Sequence, residues 1–106
     1  MTDRGLLEAV AEMKSGLIDA RLGGGLFKKR VGLPGGGKRG GARTIVAGNF
    51  RDRWIFLYGF AKNERENIDE KEERYLKRIA EVLLGLDRAA LGGVLEAGEL
   101  LEVIDG

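Results

Sequence analysis

The distribution of glycine constrains this chain more than any other feature of its sequence. Eleven of its eighteen glycines lie between Gly16 and Gly48, and they include the runs 23–25, 35–37 and 40–41. Each glycine in the interior of a helix costs about 1 kcal/mol relative to alanine. The runs therefore predict tight turns between short strands rather than helix in this part of the chain.

The segments on either side of the glycine-rich region have the apolar spacing of helices. Apolar residues recur at helical intervals within residues 1–16 and again within residues 64–86, which predicts one amphipathic helix in each segment. Gly16 ends the first helix. In the second, Asn67 is the predicted N-cap and Glu70 occupies the capping-box position.

Three segments between the helices alternate as β-strands: 26–31, 42–50 and 53–60. A glycine-rich loop separates the first two segments, and Arg51 and Asp52 form a tight turn before the third. We therefore predict an α+β fold, in which a small antiparallel three-stranded meander carries helices on one face. Residues 99–104 could add a fourth strand at an edge of the sheet.

A length of 106 residues fits a single domain. We predict that residues 1–106 form one domain with four parts. These are a helix (1–16), a basic glycine-rich sheet region (20–63), an amphipathic helix (64–86) and a C-terminal tail (87–106).

Charge is distributed unevenly along the chain although the formal net charge is only +1. Residues 20–63 contain ten Lys and Arg against one acid, Asp52, whereas residues 64–106 contain twelve acids against six bases. One-sided charge of this kind raises the local electrostatic potential and attracts polyanions. Alternation along the first strand places Lys28 and Arg30 on one face and Lys29 on the other.

The composition excludes several classes of chemistry. The chain contains no cysteine and no histidine, so it has no thiol nucleophile, no His-based catalytic triad and no His- or Cys-ligated zinc. We predict that it uses neither a metal nor another cofactor. No apolar run is long enough to span a membrane, and the N-terminus is acidic, which predicts a cytoplasmic protein without membrane contact.

Three interpretations compete for the basic glycine-rich segment. Residues 32–38 match the P-loop pattern GxxxxGK, but Arg39 replaces the required Ser or Thr, and a predicted strand follows where a P-loop needs a helix. A second interpretation is a hairpin loop whose cations only solvate it. The third is a surface that binds the phosphates of a nucleic acid.

Three strings of residues resemble one known family. They are LIDARLGGGLFKKRV, GGGKRGGARTIVAGNF and YGFAKNERENI, and the resemblance extends over residues 5–84. The chain is similar to the RelE/HigB-like toxins of type II toxin–antitoxin systems. The resemblance implies a ribosome-dependent mRNA interferase that arrests growth and is neutralised by a helix-turn-helix antitoxin. Its partners would then be that antitoxin, the ribosome and mRNA.

The start of the chain departs from the family pattern. Members usually begin with a further strand and helix before the position that matches Asp3, so we expect a shortened member of the family. A missing strand would expose an edge of the sheet, through which the protein could form a homodimer.

Candidate site residues follow from the chemistry of RNA cleavage and from the resemblance. Metal-independent cleavage needs a base, an acid and cations that stabilise a charged transition state. We predict catalytic roles for Lys28, Arg30, Arg43, Tyr58 and Lys62, and RNA-binding roles for Lys29, Lys38, Arg39 and Asn63. Proton transfer could involve Lys28, Lys38, Tyr58 or Lys62, and the sequence does not assign acid and base among them. Capping of the following turn is an equal alternative for Asn63.

Two functions of different classes therefore stay open. The first is the ribosome-dependent endoribonuclease. The second is a non-catalytic or decayed relative that binds antitoxin, RNA or a topoisomerase, as the similarly folded ParE toxins act on a topoisomerase.

Overall fold

The computed structural model describes residues 2–33, 37–61 and 63–103. Within them, three helices and four strands follow one another along the chain. The helices are α1 (Asp3–Lys14), α2 (Glu70–Gly85) and α3 (Arg88–Glu96), and the strands are β1 (Ala20–Gly23), β2 (Leu26–Leu33), β3 (Gly37–Gly48) and β4 (Trp54–Ala61). The predicted α+β class with an antiparallel sheet is confirmed.

The four strands form one antiparallel sheet in chain order, β1-β2-β3-β4. The central pair, β2 and β3, is longer than predicted, because β3 begins at Gly37 and not at residue 42. Gly37 pairs with Leu33, so the backbone hydrogen bonds of the hairpin hold this glycine-rich stretch in an extended conformation. Glycine weakens a strand but does not prevent one when a partner strand is present.

The fourth strand does not come from the C-terminal tail. It is β1, an edge strand that precedes the predicted meander, whereas residues 99–103 form no strand. Gly24 (φ +63°) and Gly25 (φ +79°) form the turn from β1 into β2, a backbone conformation that glycine adopts without strain. The glycine run at 23–25 thus marks the predicted turn. The strand before it has only four residues, too few for the sequence pattern to show.

The helices pack on both faces of the sheet, not on one face as predicted. Leu76 and Ala80 of α2 lie in the main core with Leu26, Ile45 and Phe60 of the sheet. Helix α1 packs on β2 from the opposite face, where its Ala9 and Met13 are buried. The side chain of Lys29, which alternation places on that opposite face, reaches α1. Strand β2 has buried apolar side chains on both faces, Leu26 on one and Phe27 and Val31 on the other, so both faces of the sheet must be covered by other elements.

The ends of the helices are set by local hydrogen bonds. Thr2 caps α1 by accepting a hydrogen bond from the amide of Gly5 (3.0 Å). Helix α2 begins two residues later than predicted, with Asp69 rather than Asn67 as its N-cap. Glu72 rather than Glu70 completes the capping box. At the other end, the guanidinium of Arg53 donates to the carbonyls of Leu83 (2.7 Å) and Leu86 (2.6 Å) and ties this end of α2 to the start of β4.

The turn between β3 and β4 is built around Asn49. Its side-chain oxygen accepts hydrogen bonds from the backbone amides of residues 51, 52 and 53 at 2.9 to 3.1 Å, an Asx-type turn. Beside it, Phe27, Phe50 and Trp54 form an aromatic cluster that closes this end of the sheet. The predicted tight turn at Arg51 and Asp52 is therefore confirmed.

Homodimerisation through an edge strand stays a prediction.

No helix in the described ranges has the length and apolar character needed to cross a membrane.

Candidate nucleic-acid interface

Three cations converge on one face of the sheet, at the end away from the aromatic cluster. Arg30 on β2 lies directly opposite Arg43 on β3, and Lys28 lies one position further along the same face of β2. In a sheet, directly opposed side chains have Cβ atoms about 4.5–5.5 Å apart. We call Lys28, Arg30 and Arg43 the cationic cluster. The predicted sharing of a face by Lys28 and Arg30 is confirmed by the register.

Two aromatic residues of β4 extend the cluster across the sheet. Phe60 lies opposite Arg43, and Tyr58 lies opposite Ile45, which in turn lies opposite Lys28. Lys28 and Tyr58 thus flank Ile45 on one cross-strand row. The rings of Tyr58 and Phe60 are 5.6 Å apart. Phe60 is buried in the core, whereas the Tyr58 side chain is 39% exposed, so the phenol is accessible beside the cations.

The side chains of the cationic cluster are not paired with carboxylates. No carboxylate in the described part of the chain forms a salt bridge with Lys28, Arg30 or Arg43. The carboxylate of Asp19 meets the backbone of β2, where its Oδ2 accepts a hydrogen bond from the amide of Arg30 (2.6 Å). Like charges directly opposite each other in a sheet destabilise it. An arrangement of this kind is suited to a ligand that brings negative charge.

A short segment between β4 and α2 covers one side of the cluster. We call residues 65–67 the bridge segment. The guanidinium Nη1 of Arg43 donates to the backbone carbonyl of Glu66 (3.1 Å), and the Nζ of Lys28 donates to the side-chain Oδ1 of Asn67. Both acceptors are neutral. Two of the three cations are therefore oriented without being neutralised.

Arg65 fastens the bridge segment at its other side. Its guanidinium lies 5.7 Å from the centre of the Phe60 ring and donates through both terminal nitrogens to the carboxylate of Glu72, one of these bonds at 3.0 Å. Its Nε donates to the backbone carbonyl of Asn67 (3.0 Å). The hydrogen bonds from Arg65, followed by that from the amide of Asp69, lower the pKa of Glu72 from 4.5 to about 2. Glu72 thus joins the capping box of α2 to the bridge segment.

The predicted site residues divide into three groups. Lys28, Arg30, Arg43 and Tyr58 lie together, as described above. Lys29 lies on the opposite face, 4% exposed, with its Nζ 3.0 Å from Glu12 Oε1 and 2.9 Å from the carbonyl of Leu17. Because that ammonium is buried and paired, we leave Lys29 out of the site. Asn63 is exposed in the turn after β4.

The remaining predicted residues cannot be placed in the site. Lys62 lies outside the described residues, as do the side chains of Lys38 and Arg39. The backbone at Lys38 and Arg39 belongs to β3, which excludes the P-loop interpretation, because a P-loop must lead into the N-terminus of a helix.

The sequence did not reveal the bridge segment. Arg65 and Asn67 occur in an acidic stretch that reads as the start of a helix, and their contacts reach β2 and β4. The only signal was the string YGFAKNERENI, which includes both residues. In the described part of the chain, no group of three or more His, Cys, Asp or Glu side chains could hold a metal ion.

These features define a small α+β domain with a basic sheet face suited to anions. Residues 1–103 match the family model described as the RelE toxin of the RelE/RelB toxin–antitoxin system. The chain belongs to this RelE toxin family. Neither the curated proteins nor the solved structures contain a significant match.

Proposed function

We propose that this member of the RelE toxin family is a ribosome-dependent mRNA endoribonuclease. The single observation that carries the proposal is the opposed pair Arg30 and Arg43, whose guanidinium groups form no salt bridge among the described residues and which lies beside Lys28 and Tyr58. Family membership supports a toxin with an antitoxin partner. We propose that the antitoxin is a helix-turn-helix protein, and that the toxin works in the cytoplasm, where ribosomes and mRNA are found.

The proposed reaction needs no metal. A base removes the proton of a ribose 2′-hydroxyl, and the 2′-oxygen attacks the adjacent phosphorus. The bond from phosphorus to the departing 5′-oxygen breaks as an acid protonates that oxygen. The products are a 2′,3′-cyclic phosphate and a 5′-hydroxyl. Charge builds up on the phosphoryl oxygens in the transition state, and fixed cations stabilise it best where no carboxylate competes.

The arginines fit the task of holding the phosphate. A guanidinium presents a planar set of N–H donors that binds a phosphate in a bidentate manner. Arg30 is exposed, and Arg43 is half-buried and already oriented by the carbonyl of Glu66. We propose that Arg43 binds the scissile phosphate and that Arg30 contacts it from the neighbouring strand.

Proton transfer has candidates on both sides of the phosphate position. Lys28 on β2 and Tyr58 on β4 flank Ile45, with backbones about 10 Å apart, which is twice the spacing of neighbouring strands. Both side chains are long enough to reach a phosphate held between them. We propose that these two residues, with Lys62, supply the acid and the base. Lys38, Arg39 and Asn63 are proposed to grip the RNA backbone outside the reacting position.

Expression in cells followed by mapping of mRNA ends tests this proposal. We expect induction of the wild-type protein to arrest growth and to create new mRNA ends in phase with codons. Arg43→Ala should abolish both effects. Arg78→Ala is the matched control, because it removes the same charge from an exposed position on α2 and should leave toxicity intact.

Two results would defeat the proposal. Growth arrest without new mRNA ends would indicate another target, such as a topoisomerase. Soluble wild-type protein without growth arrest would indicate a non-catalytic binder.

A further inference from the structure

The cations of this protein have two kinds of partner. Away from the cationic cluster, Lys29, Arg65 and Lys77 form salt bridges with the carboxylates of Glu12, Glu72 and Glu73 respectively. Within the cluster, Lys28 donates to an amide oxygen and Arg43 to a backbone carbonyl. Arg53 also donates to neutral acceptors, the carbonyls at the end of α2, but the cluster cations meet theirs in a segment that also contains the acid Glu66.

The bridge segment contains a carboxylate that does not pair with the cluster. Glu66 contributes its backbone carbonyl to Arg43, and no salt bridge joins its side chain to a cluster cation within the described ranges. The next residue, Asn67, reaches Lys28 with a neutral amide oxygen. An aspartate at this position would have nearly the same shape and would neutralise the ammonium.

The bridge segment is anchored on both sides of Asn67, so it can orient the Lys28 side chain that it contacts. Arg65 is fixed between the Phe60 ring and the carboxylate of Glu72, and its Nε donates to the backbone carbonyl of Asn67 itself. Two residues later, Asp69 is the N-cap of α2 and forms a complete capping box with Glu72. Asn67 therefore lies between two anchors, both of which depend on Glu72.

We propose that Asn67 is a positioning residue, which holds the ammonium of Lys28 beside the phosphate-binding arginines while leaving its charge intact. This inference rests on the proposed nuclease function and adds a residue to it. Asn67 contacts Lys28 and not the RNA. Its contribution is the direction of the ammonium, which without it would sample many rotamers of a long, flexible side chain.

Single-turnover cleavage of mRNA on purified ribosomes, with toxin in excess, tests the proposal. Asn67→Ala removes the acceptor, and Asn67→Asp keeps it but adds a negative charge. We expect Asn67→Ala to lower the maximal cleavage rate by about 10- to 100-fold, the scale of a small displacement of a reacting group. The toxin concentration at half-saturation should change little. Arg78→Ala is the control for Asn67→Asp, because it lowers the net charge by the same one unit, and it should behave as wild type.

Asn67→Asp should differ from Asn67→Ala in its response to salt. Each phosphate contact of a single-stranded nucleic acid contributes about 0.7 to the slope of log affinity against log salt. Because the aspartate neutralises one cation, we expect the slope of Asn67→Asp to fall by about this amount. The slope of Asn67→Ala should equal that of the wild type. The salt slope thus tests whether residue 67 lies beside the bound RNA.

NMR of the lysine ammonium groups separates this inference from the function on which it rests. We expect a Lys28 ammonium signal that exchanges slowly with water in the wild type and is lost in Asn67→Ala. If wild-type protein cleaves no mRNA, the proposed function fails, and the loss or retention of this signal still decides the role of Asn67. Cleavage by both variants within about twofold of wild type, with an unchanged Lys28 signal, would overturn the inference.

Discussion

Arg30 and Arg43 lie directly opposite each other on neighbouring strands, on the same face of the sheet, with no salt bridge from either side chain to a carboxylate in the described residues. A pair of like charges at this position works against folding. It is explained if the two guanidinium groups share an anionic ligand. Removing one of the two arginines should therefore increase the stability of the fold and decrease the activity.

Replacing Arg30 should separate these two effects. We expect Arg30→Thr to raise the free energy of unfolding by about 0.2–1 kcal/mol, because it relieves the cross-strand repulsion and puts a β-branched residue in a strand. Cleavage of ribosome-bound mRNA should fall at the same time. Urea denaturation and a cleavage assay on the same preparation check both changes, and a variant that is less stable than wild type would contradict the repulsion.

The buried ammonium of Lys29 contributes to stability instead. Lys29→Met should lower the free energy of unfolding by about 1.5–3 kcal/mol, the range for hydrogen bonds that involve a charged group. The reason is that the variant loses both the contact with Glu12 and the hydrogen bond to the Leu17 carbonyl. Chemical denaturation measures the loss. Lys71→Met, at an exposed position of α2, is the control and should stay within about 0.5 kcal/mol of wild type.

Gly48 is required by close packing with Trp54. A Cβ at residue 48 would overlap with Cε3 and Cζ3 of the Trp54 ring. We expect Gly48→Ala to destabilise the protein by at least about 1–3 kcal/mol, the usual cost of overpacking, and to change the tryptophan fluorescence. Gly92→Ala in α3 meets open space and should be neutral or slightly stabilising. Equal stability of the two variants would disprove this packing.

Acid should weaken the bridge segment through Glu72. Its pKa in the folded protein, about 2, lies below the usual 4.5 because Arg65 and the Asp69 amide donate hydrogen bonds to the carboxylate. A carboxyl with a lowered folded pKa stabilises the protein fully above its unfolded pKa, and this contribution is lost as the pH falls from about 4.5 to about 2. Glu72→Gln should therefore lose less stability than wild type between pH 6 and pH 3.

Urea denaturation at the two pH values measures this difference. Glu81→Gln provides the control, since Glu81 is exposed on the same helix and forms no salt bridge within the described part of the chain. It should follow the wild-type pH dependence. If Glu72→Gln also follows the wild type, the hydrogen bonds from Arg65 do not stabilise the folded state.

Local patterns predicted the parts of the fold that depend on neighbouring residues. Alternation along β2 separated Lys28 and Arg30 from Lys29, and the apolar periodicity located both α1 and α2 to within a few residues. The sequence predicts Asn67 as the N-cap of α2 where the structure has Asp69, because both residues have side chains suited to capping and the sequence does not show which amide each one meets.

Relationships between distant residues could not be predicted from the sequence. The burial of Lys29 depends on Glu12 in a helix on the other side of a turn, and the positions of Arg65 and Asn67 depend on β4 and β2. Packing of α1 and α2 on opposite faces was missed for the same reason. Charge counts along the chain identified the basic region, but they did not show which of its cations lack an acidic partner.

Our central proposal is that Arg30 and Arg43, with Lys28 beside them, bind the scissile phosphate of an mRNA on the ribosome. Single-turnover cleavage of mRNA on purified ribosomes by wild type, Arg43→Ala and Arg78→Ala measures it most directly. We predict that Arg43→Ala, folded as judged by circular dichroism, cleaves at least about 100-fold more slowly than wild type, as expected for the loss of a preorganised donor to a transition-state oxyanion. Arg78→Ala should match the wild type. Equal rates for Arg43→Ala and wild type would contradict the account.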